Sequence, residues 1–496
     1  MSTESARKPG QSAEALFHQG NRLRAEGRNA DAEAAFRAAL AARPAFAEAE
    51  LNLGHLCELS DRLDEAFAWY ERAAAHGPGL ADAWQNLGNI CCKRQRFAEA
   101  ETAYRRALDQ RPDWAVAWLN LGNALRMQQR LEDAIAAYRR VVALRPDSAD
   151  GHVNLAHAYR ALNRLDEARA ECARALALNP ASPEAHLNAA MVHLVAGDYR
   201  AGWPHAEYRH ALKLGGAGRE FRQPQWKGHE PLAGRCILLH GEQGFGDTLQ
   251  FVRFAPLVAA RGARVILEVQ PALRDLLAAT PGMDSVQALG SPLPEFDLHC
   301  PLPSLPLALG IELASLPRQV PYVEPPAGRV ARWKDRLGAG PGPTIGFAWS
   351  GNPSHPNDFN RSIPSERFGR IFDGVGGARL VCLKREVAAG EMALLAGRPN
   401  VSVPAAELAD FADTAALVSQ LDLVLAVDTS VAHLAGALGR PVWVLLPFAP
   451  DWRWLLDRED SPWYPTARLF RQPRLGDWDS VIEQVRRELG FFLARP

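Results

Sequence analysis

The sequence is poor in the features that staple small or secreted proteins. It holds only 7 Cys, scattered at Cys57, Cys91, Cys92, Cys172, Cys236, Cys300 and Cys382 with no C-x-x-C pair. That spacing fits neither a disulfide framework nor a thiolate zinc site, and it predicts a reducing, cytoplasmic location. Neither sign of charge is in excess. Lys and Arg number 56 against 57 Asp and Glu, so no global field draws in nucleic acid or an anionic membrane. The opening MSTESARKPGQSAEAL lacks the apolar core of a secretory leader. The most apolar stretch, Leu423 to Pro450, is broken by Asp428, His433 and Arg440, which predicts no transmembrane segment. No H-E-x-x-H, G-x-S-x-G or kinase signature occurs, and no His/Cys cluster has ligand spacing, so no metal is expected. What is present is ordinary globular material: 496 residues, 47% hydrophobic and 23% charged, enough for about three folded units.

A period of 34 residues dominates the first 200. Gly recurs at 20, 54, 88 and 122, Pro at 44, 78, 112, 146 and 180, Ala at 32, 66, 100, 134 and 168, and an aromatic at 36, 70, 104 and 138. Each unit reads as two short helices, with a small residue where they cross and Pro where the second ends. The pattern resembles the tetratricopeptide repeat, with Trp84 and Trp118 at its aromatic position. Five units cover about residues 13–182, and a sixth, degenerate one runs toward Tyr208. In the third, Trp84, Leu87, Gly88 and Cys91 share the core side of the first helix. Asn52, Asn86, Asn120, Asn154 and Asn188 lie on roughly the opposite side, toward the concave groove, with Asn89 and Asn123 one step around. Asn86, Asn120 and Asn154 are expected to be exposed. Carboxamides so placed can donate to and accept from an extended polypeptide whatever its side chains. The ladder resembles that in the repeat domain of protein O-GlcNAc transferases; the alternative is polar filler copied by repeat duplication.

Beyond Tyr208 the period stops and a Gly-rich stretch, LGGAGREFRQPQW, marks a junction. CILLHGEQG, RVILEV and FDLHC then read as strands, with a helix from about Thr248 to Ala260. After the break GAGPGP, the strands are TIGFAWSG, ARLVCL, LVLAV and PVWVLL, with helices from about Ser365, Asp413 and Ser430. The expected division is a disordered start (1–12), an α-solenoid of repeats (13–210), a junction (211–234) and two doubly wound, Rossmann-like α/β lobes (235–340 and 341–496). Such sheets bind ligands at the carboxyl ends of their strands.

Three segments at those ends could carry chemistry. GEQGFGDT nearly fits a phosphate-binding P-loop, but Asp247 stands where that loop requires Lys, which excludes an ATPase of this type. It does not fit G-x-G-x-x-G either. Asp247 could be a catalytic carboxylate or simply the cap of the following helix. In VDTSVAHLAGALG, Asp428 ends a strand while Thr429 and Ser430 open a helix whose free N–H groups favour an anion such as a diphosphate. Capping by Asp428 or Thr429 is the compatible alternative. His433, one turn in, would face the same mouth or be packed. WSGNPSHPNDFNRSIP is a long polar loop carrying Arg361, either of the sort that closes on a ligand or a merely solvated surface loop, and Lys384 is a second cation at the same edge.

Taken in order, GFGD, WSGN…RSIP and VDTSVAHLAGALG resemble the ADP-heptose:lipopolysaccharide heptosyltransferases, glycosyltransferases of GT-B fold. The tail PDWRWLLDREDSPWYPTARLFRQ is similar to that of the bacterial subgroup in which this domain follows tetratricopeptide repeats. The resemblance covers about residues 235–490. It implies an acceptor-side lobe at 235–340 and a nucleotide-sugar lobe at 341–496. It further implies Asp247 as general base, Arg361 on the nucleotide phosphates, Asp428 on the donor sugar, and Thr429 with Ser430 as the phosphate-binding turn. Ser430 stands where the family has Gly. The implied reaction is inverting and metal-independent, with a nucleotide sugar as substrate and no cofactor. Together with the Asn ladder it predicts a protein acceptor, with flagellin one candidate client. Two alternatives stay open: a non-catalytic repeat scaffold with a degenerate transferase domain, and a lipopolysaccharide-type transferase.

Overall fold

The computed structural model describes residues 12–212, 219–242 and 244–494. Apart from Ser12, the segment expected to be disordered lies outside them, as do Gln243 of the GEQGFGDT turn and 213–218 of the junction. The chain divides after Pro180 into two compact units.

The described residues of the first unit form ten helices: Ala13–Ala25, Asn29–Ala42, Ala47–Leu59, Leu63–His76, Ala81–Lys93, Phe97–Gln110, Ala115–Met127, Leu131–Leu144, Ala149–Ala161 and Leu165–Leu178. The period has a steric origin. A Cβ on Gly20, Gly54, Gly88 or Gly122 would sit 2.4–2.6 Å from a ring carbon of Phe36, Tyr70, Tyr104 or Tyr138, sixteen residues on. Helices this close admit no side chain at the crossing. At the corresponding positions of the fifth pair, 34 residues on, stand Ala156 and the small Cys172, both buried. The recurring Pro also has a structural partner, since the indole N–H groups of Trp84 and Trp118 donate to the carbonyls of Pro78 (3.2 Å) and Pro112 (2.8 Å). Trp84 is half-buried rather than in the core, because its ring reaches back over that turn. Within each pair the chain reverses through a left-handed residue: Gly27, Asp61, Gln95, Gln129 and Asn163.

The second unit begins with helices Pro183–Val195 and Tyr199–Ala206. Two parallel sheets follow. In the first, β1 (Cys236–His240), β2 (Arg264–Val269), β3 (Ser285–Ala288) and β4 (Leu298–Pro301) have the order β3-β2-β1-β4. In the second, β5 (Thr344–Ala348), β6 (Arg379–Cys382), β7 (Val401–Ser402), β8 (Leu423–Val427), β9 (Val442–Leu446) and β10 (Ala467–Arg471) have the order β10-β9-β8-β5-β6-β7. Every residue of β1, β5, β8 and β9 is buried, as a parallel sheet covered on both faces requires.

One expectation is corrected. The single helix from Thr248 to Ala260 is broken into Phe245–Phe251, a 3-10 turn Val252–Phe254 and a short helix Ala255–Ala259. Pro256 lacks the N–H that would continue the ladder, and its ring crowds the preceding turn. Within the junction, Trp226 is fully buried, and its backbone N–H donates to the His299 carbonyl of β4 at 2.7 Å. Among the described residues no helix is long and apolar enough to cross a membrane.

Candidate functional site

The three chemistry-bearing segments, far apart in sequence, meet where strands of both sheets end. β1 passes through Gly241 into helix Phe245–Phe251, and β8 passes through Asp428 and Thr429 into helix Ser430–Ala437. These helices touch. A Cβ on Gly246 would lie 2.7 Å from His433 Cδ2, so only glycine permits the approach. From the loop after β5, Arg361 Nη1 donates to the carbonyl of Asp428 at 3.1 Å, and its Nε lies 3.3 Å from Asp358 Oδ1.

Asp247 caps its helix, one of the two roles that the sequence allows, and is paired besides. Its Oδ2 accepts the Gly244 N–H at 2.9 Å, capping the helix, and its Oδ1 pairs with Arg453. Asp428 is buried. Desolvation, then the Asp451 carboxylate, push its acid up to about 6, against the pull of Arg361 and Arg453. His433 is packed and also sits beside the site. Its Nδ1 meets Tyr464 Oη at 2.9 Å, its ring stacks on Trp454, and its Nε2 lies 3.7 Å from Asp428 Oδ1. Burial holds it well below the usual histidine range, and Arg453 adds to this, so it stays neutral. Thr429 is the N-cap residue of helix Ser430–Ala437, but its side chain makes no capping hydrogen bond. Thr429 is 8% exposed, yet its Oγ1 has no hydrogen-bond partner, while Ser430 is half-buried at the first turn. A buried hydroxyl without a partner costs about 1–3 kcal/mol, a penalty that a ligand oxygen would relieve.

Lys384 is not a second cation of this group. It is held by Glu391 (3.2 Å to each oxygen) and lies 4.1 Å above the Trp349 ring, because Glu391 is fixed by the Trp349 N–H and the Ala388 N–H. The cavity of about 160 Å³ lined by Phe347, Trp349 and Phe368 includes none of Asp247, Arg361, Asp428, Thr429, Ser430 and His433.

The asparagine ladder differs from expectation too. Asn86, Asn120 and Asn154 are half-buried rather than exposed, as are Asn52 and Asn188. The first helices of successive repeats lie close enough for Asn52 to donate to Asn21 (2.9 Å) and Asn120 to Asn89 (3.1 Å), while Asn154 donates to the Asp150 carbonyl. Asn89 and Asn123 serve the fold directly, accepting the hydroxyls of Tyr104 and Tyr138 at 2.9 and 2.8 Å.

Sequence reasoning missed the arginines that join the two sheets. Arg453 reaches Asp247 and Gln250, and buried Arg253 donates to the carbonyls of Pro317 and Trp463 and to Tyr322 Oη. The only available signal was the charge-rich tail PDWRWLLDRED, whose partners lie about 200 residues away. Among the described residues no group of three or more His, Cys, Asp or Glu could hold a metal ion.

Tetratricopeptide-repeat models match residues 17–81 and 87–149, and a second such model matches 125–187. The chain is 28% identical over 330 residues to Protein FlbA of Caulobacter vibrioides, which covers 62% of this chain and 54% of that protein. The chain thus spans about half the length of this curated relative. Similar solved structures include YrrB, described as a repeat protein with an unusual peptide-binding site (19% identity, 36% of this chain, 92% of that chain, TM-score 0.33). They also include MamA (22%, 34% and 92%, 0.33) and Pseudomonas aeruginosa PilF (19%, 40% and 90%, 0.35). The N-terminal repeats are tetratricopeptide repeats, and they fit a protein-binding scaffold.

Proposed function

We propose that this protein is a cytoplasmic glycosyltransferase of GT-B type that moves a sugar, with inversion, from a nucleotide sugar to a hydroxyl of a protein client held by the repeats. The observation that carries this reading is the convergence of three segments at the strand ends of two parallel sheets: Gly246 against His433, Arg361 on Asp428, Asp247 on Arg453. The N–H groups opening helix Ser430–Ala437, the unpartnered Thr429 hydroxyl and Arg361 would meet the donor's diphosphate as its charge develops. Asp428 would orient the sugar and Asp247 take the acceptor proton. The carboxamides of Asn52, Asn120 and Asn154 each have four hydrogen-bonding valences, so the one bond that each donates leaves capacity for a polypeptide. Flagellin is one candidate client.

A second reading, a scaffold without turnover, is favoured by one specific observation: both oxygens of Asp247 are engaged, by Gly244 and Arg453. Intact-mass analysis of a client captured through the repeats, after incubation with a panel of nucleotide sugars, decides between them. A gain of one sugar residue is expected, and no gain with any donor would leave the scaffold. Asp247→Asn keeps a capping side chain and should lower turnover at least ~100-fold. Undiminished transfer by that variant would move the base to another residue.

A further inference from the structure

Arg453 has so far been only the partner of Asp247, with no chemical task of its own, yet its guanidinium is paired at three nitrogens. It lies in the 3-10 turn Trp452–Trp454 beyond β9, and its guanidinium crosses to the first sheet's side. Nη2 pairs with Asp247, Nε donates to Gln250 Oε1, and Nη1 pairs with Asp451 Oδ1 at 2.9 Å. Its Cζ lies 4.6 Å from the Trp452 ring and 5.7 Å from that of Phe251, and only 11% of the side chain is exposed. Burial opposes its charge, but Asp451 and Asp247 together outweigh burial and hold it protonated.

One guanidinium therefore serves two carboxylates. A diphosphate arriving at the Thr429 turn brings more negative charge to a place already holding Asp428, with Asp451 acting on it. Two cations act on Asp428 there, Arg361 and Arg453. The planar fork of Arg453 suits phosphate oxygens as well as it suits a carboxylate. While the guanidinium N–H occupies Asp247 Oδ1, one of that oxygen's two lone pairs is closed to an acceptor hydroxyl.

We propose that Arg453 exchanges partners during transfer: it holds Asp247 before the donor binds and turns to the donor's diphosphate afterwards, leaving Asp247 Oδ1 to receive the acceptor's proton. This rests on the glycosyltransferase reading. In the step itself the acceptor hydroxyl gives its proton to Asp247, and its oxygen forms the bond to the anomeric carbon. The bond from that carbon to the diphosphate oxygen breaks, both electrons leave on the nucleoside diphosphate, and Arg453 meets the added charge.

The exchange predicts effects of opposite sign at two paired residues. Calorimetric titration of the full chain with ADP, GDP, UDP, CDP and dTDP identifies the preferred nucleotide. Arg453→Gln should then weaken its binding by about ten- to hundredfold. Asp247→Asn should tighten it several-fold, because the guanidinium no longer has that competitor. The tightening should vanish when Asp247→Asn is made in the Arg453→Gln background. Arg453→Lys, a point charge without the fork, should fall between wild type and Arg453→Gln, and it keeps the test open if Arg453→Gln fails to fold. A merely structural pair would weaken binding in both single variants. That outcome, or equal tightening with and without Arg453, overturns the exchange alone. Wild-type protein that binds none of the five nucleotides overturns the glycosyltransferase reading, and the exchange with it.

Discussion

Asp428 is where the site and the stability of the fold pull apart. Its acid is pushed up to about 6 by burial and by Asp451, whereas in an unfolded chain it titrates near ~4. Between those values the folded protein keeps a proton that the unfolded chain has released. Stability therefore falls as pH rises through that window, and the full penalty persists above it. Asp428→Asn should consequently stabilise the protein at pH 8, by the order of 2–3 kcal/mol, and do nothing below about pH 4. Thermal melts at the two pH values check this, and an equal gain at both would assign the effect to packing. Asp247, Arg361, Asp428, Thr429 and Ser430 could be named from sequence because each lies at or beyond the end of an apolar strand, where the chain turns polar. Arg453, Asp451 and Gln250 could not. Their significance is a pairing across 206 residues between Arg453 and Asp247, and no local pattern encodes such a distance.

The repeat helices were legible because one steric solution is written several times, and repetition raises it above chance. The glycine–aromatic crossing makes that solution testable. Gly122→Ala would drive a methyl to 2.4 Å from the Tyr138 ring and should cost about 1–3 kcal/mol. Tyr138→Cys alone should cost about 3–5 kcal/mol, through an unfilled space and the lost bond to Asn123. Made together, they imitate Ala156 and Cys172 of the fifth pair, and the double variant should be less destabilised than the two single losses combined, read by urea denaturation. Simple additivity would mean that the fifth pair is held by other contacts. In the α/β unit the buried strands β1, β5, β8 and β9 announced themselves as unbroken apolar runs, whereas β3, β7 and β10 did not. All three are edge strands: β3 is half-buried throughout, β7 has two residues, and β10 mixes buried with half-buried positions. An edge strand is shaped by its one neighbour more than by its own composition.

At the scale of the molecule, the helix pair 183–206 belongs physically to the α/β unit although its spacing continues the repeats. Trp203 donates to the Ile311 carbonyl at 2.8 Å, Tyr199 Oη accepts the Trp463 indole N–H at 2.8 Å, and Trp203 packs edge-on against Trp452. Arg209, just beyond, pairs with Glu242 at 2.9 Å and donates to Ser304 at 2.7 Å. A fragment of residues 181–496 should therefore melt in one cooperative transition, while 235–496, stripped of Tyr199, Trp203 and Arg209, should precipitate or melt at a clearly lower temperature. Equal melting of the two fragments would make the helix pair an ornament of the α/β unit. The arginine bridge also sets a schedule for biosynthesis. A ribosome adds about 5–20 residues per second, so Asp247 leaves the exit tunnel roughly 10–40 s ahead of the partner that lies 206 residues downstream. The repeats, built from neighbouring contacts, can fold during that interval. The pairing forms only after Arg453 has emerged, so a chain truncated before that residue would carry folded repeats while Asp247 lacked its guanidinium partner.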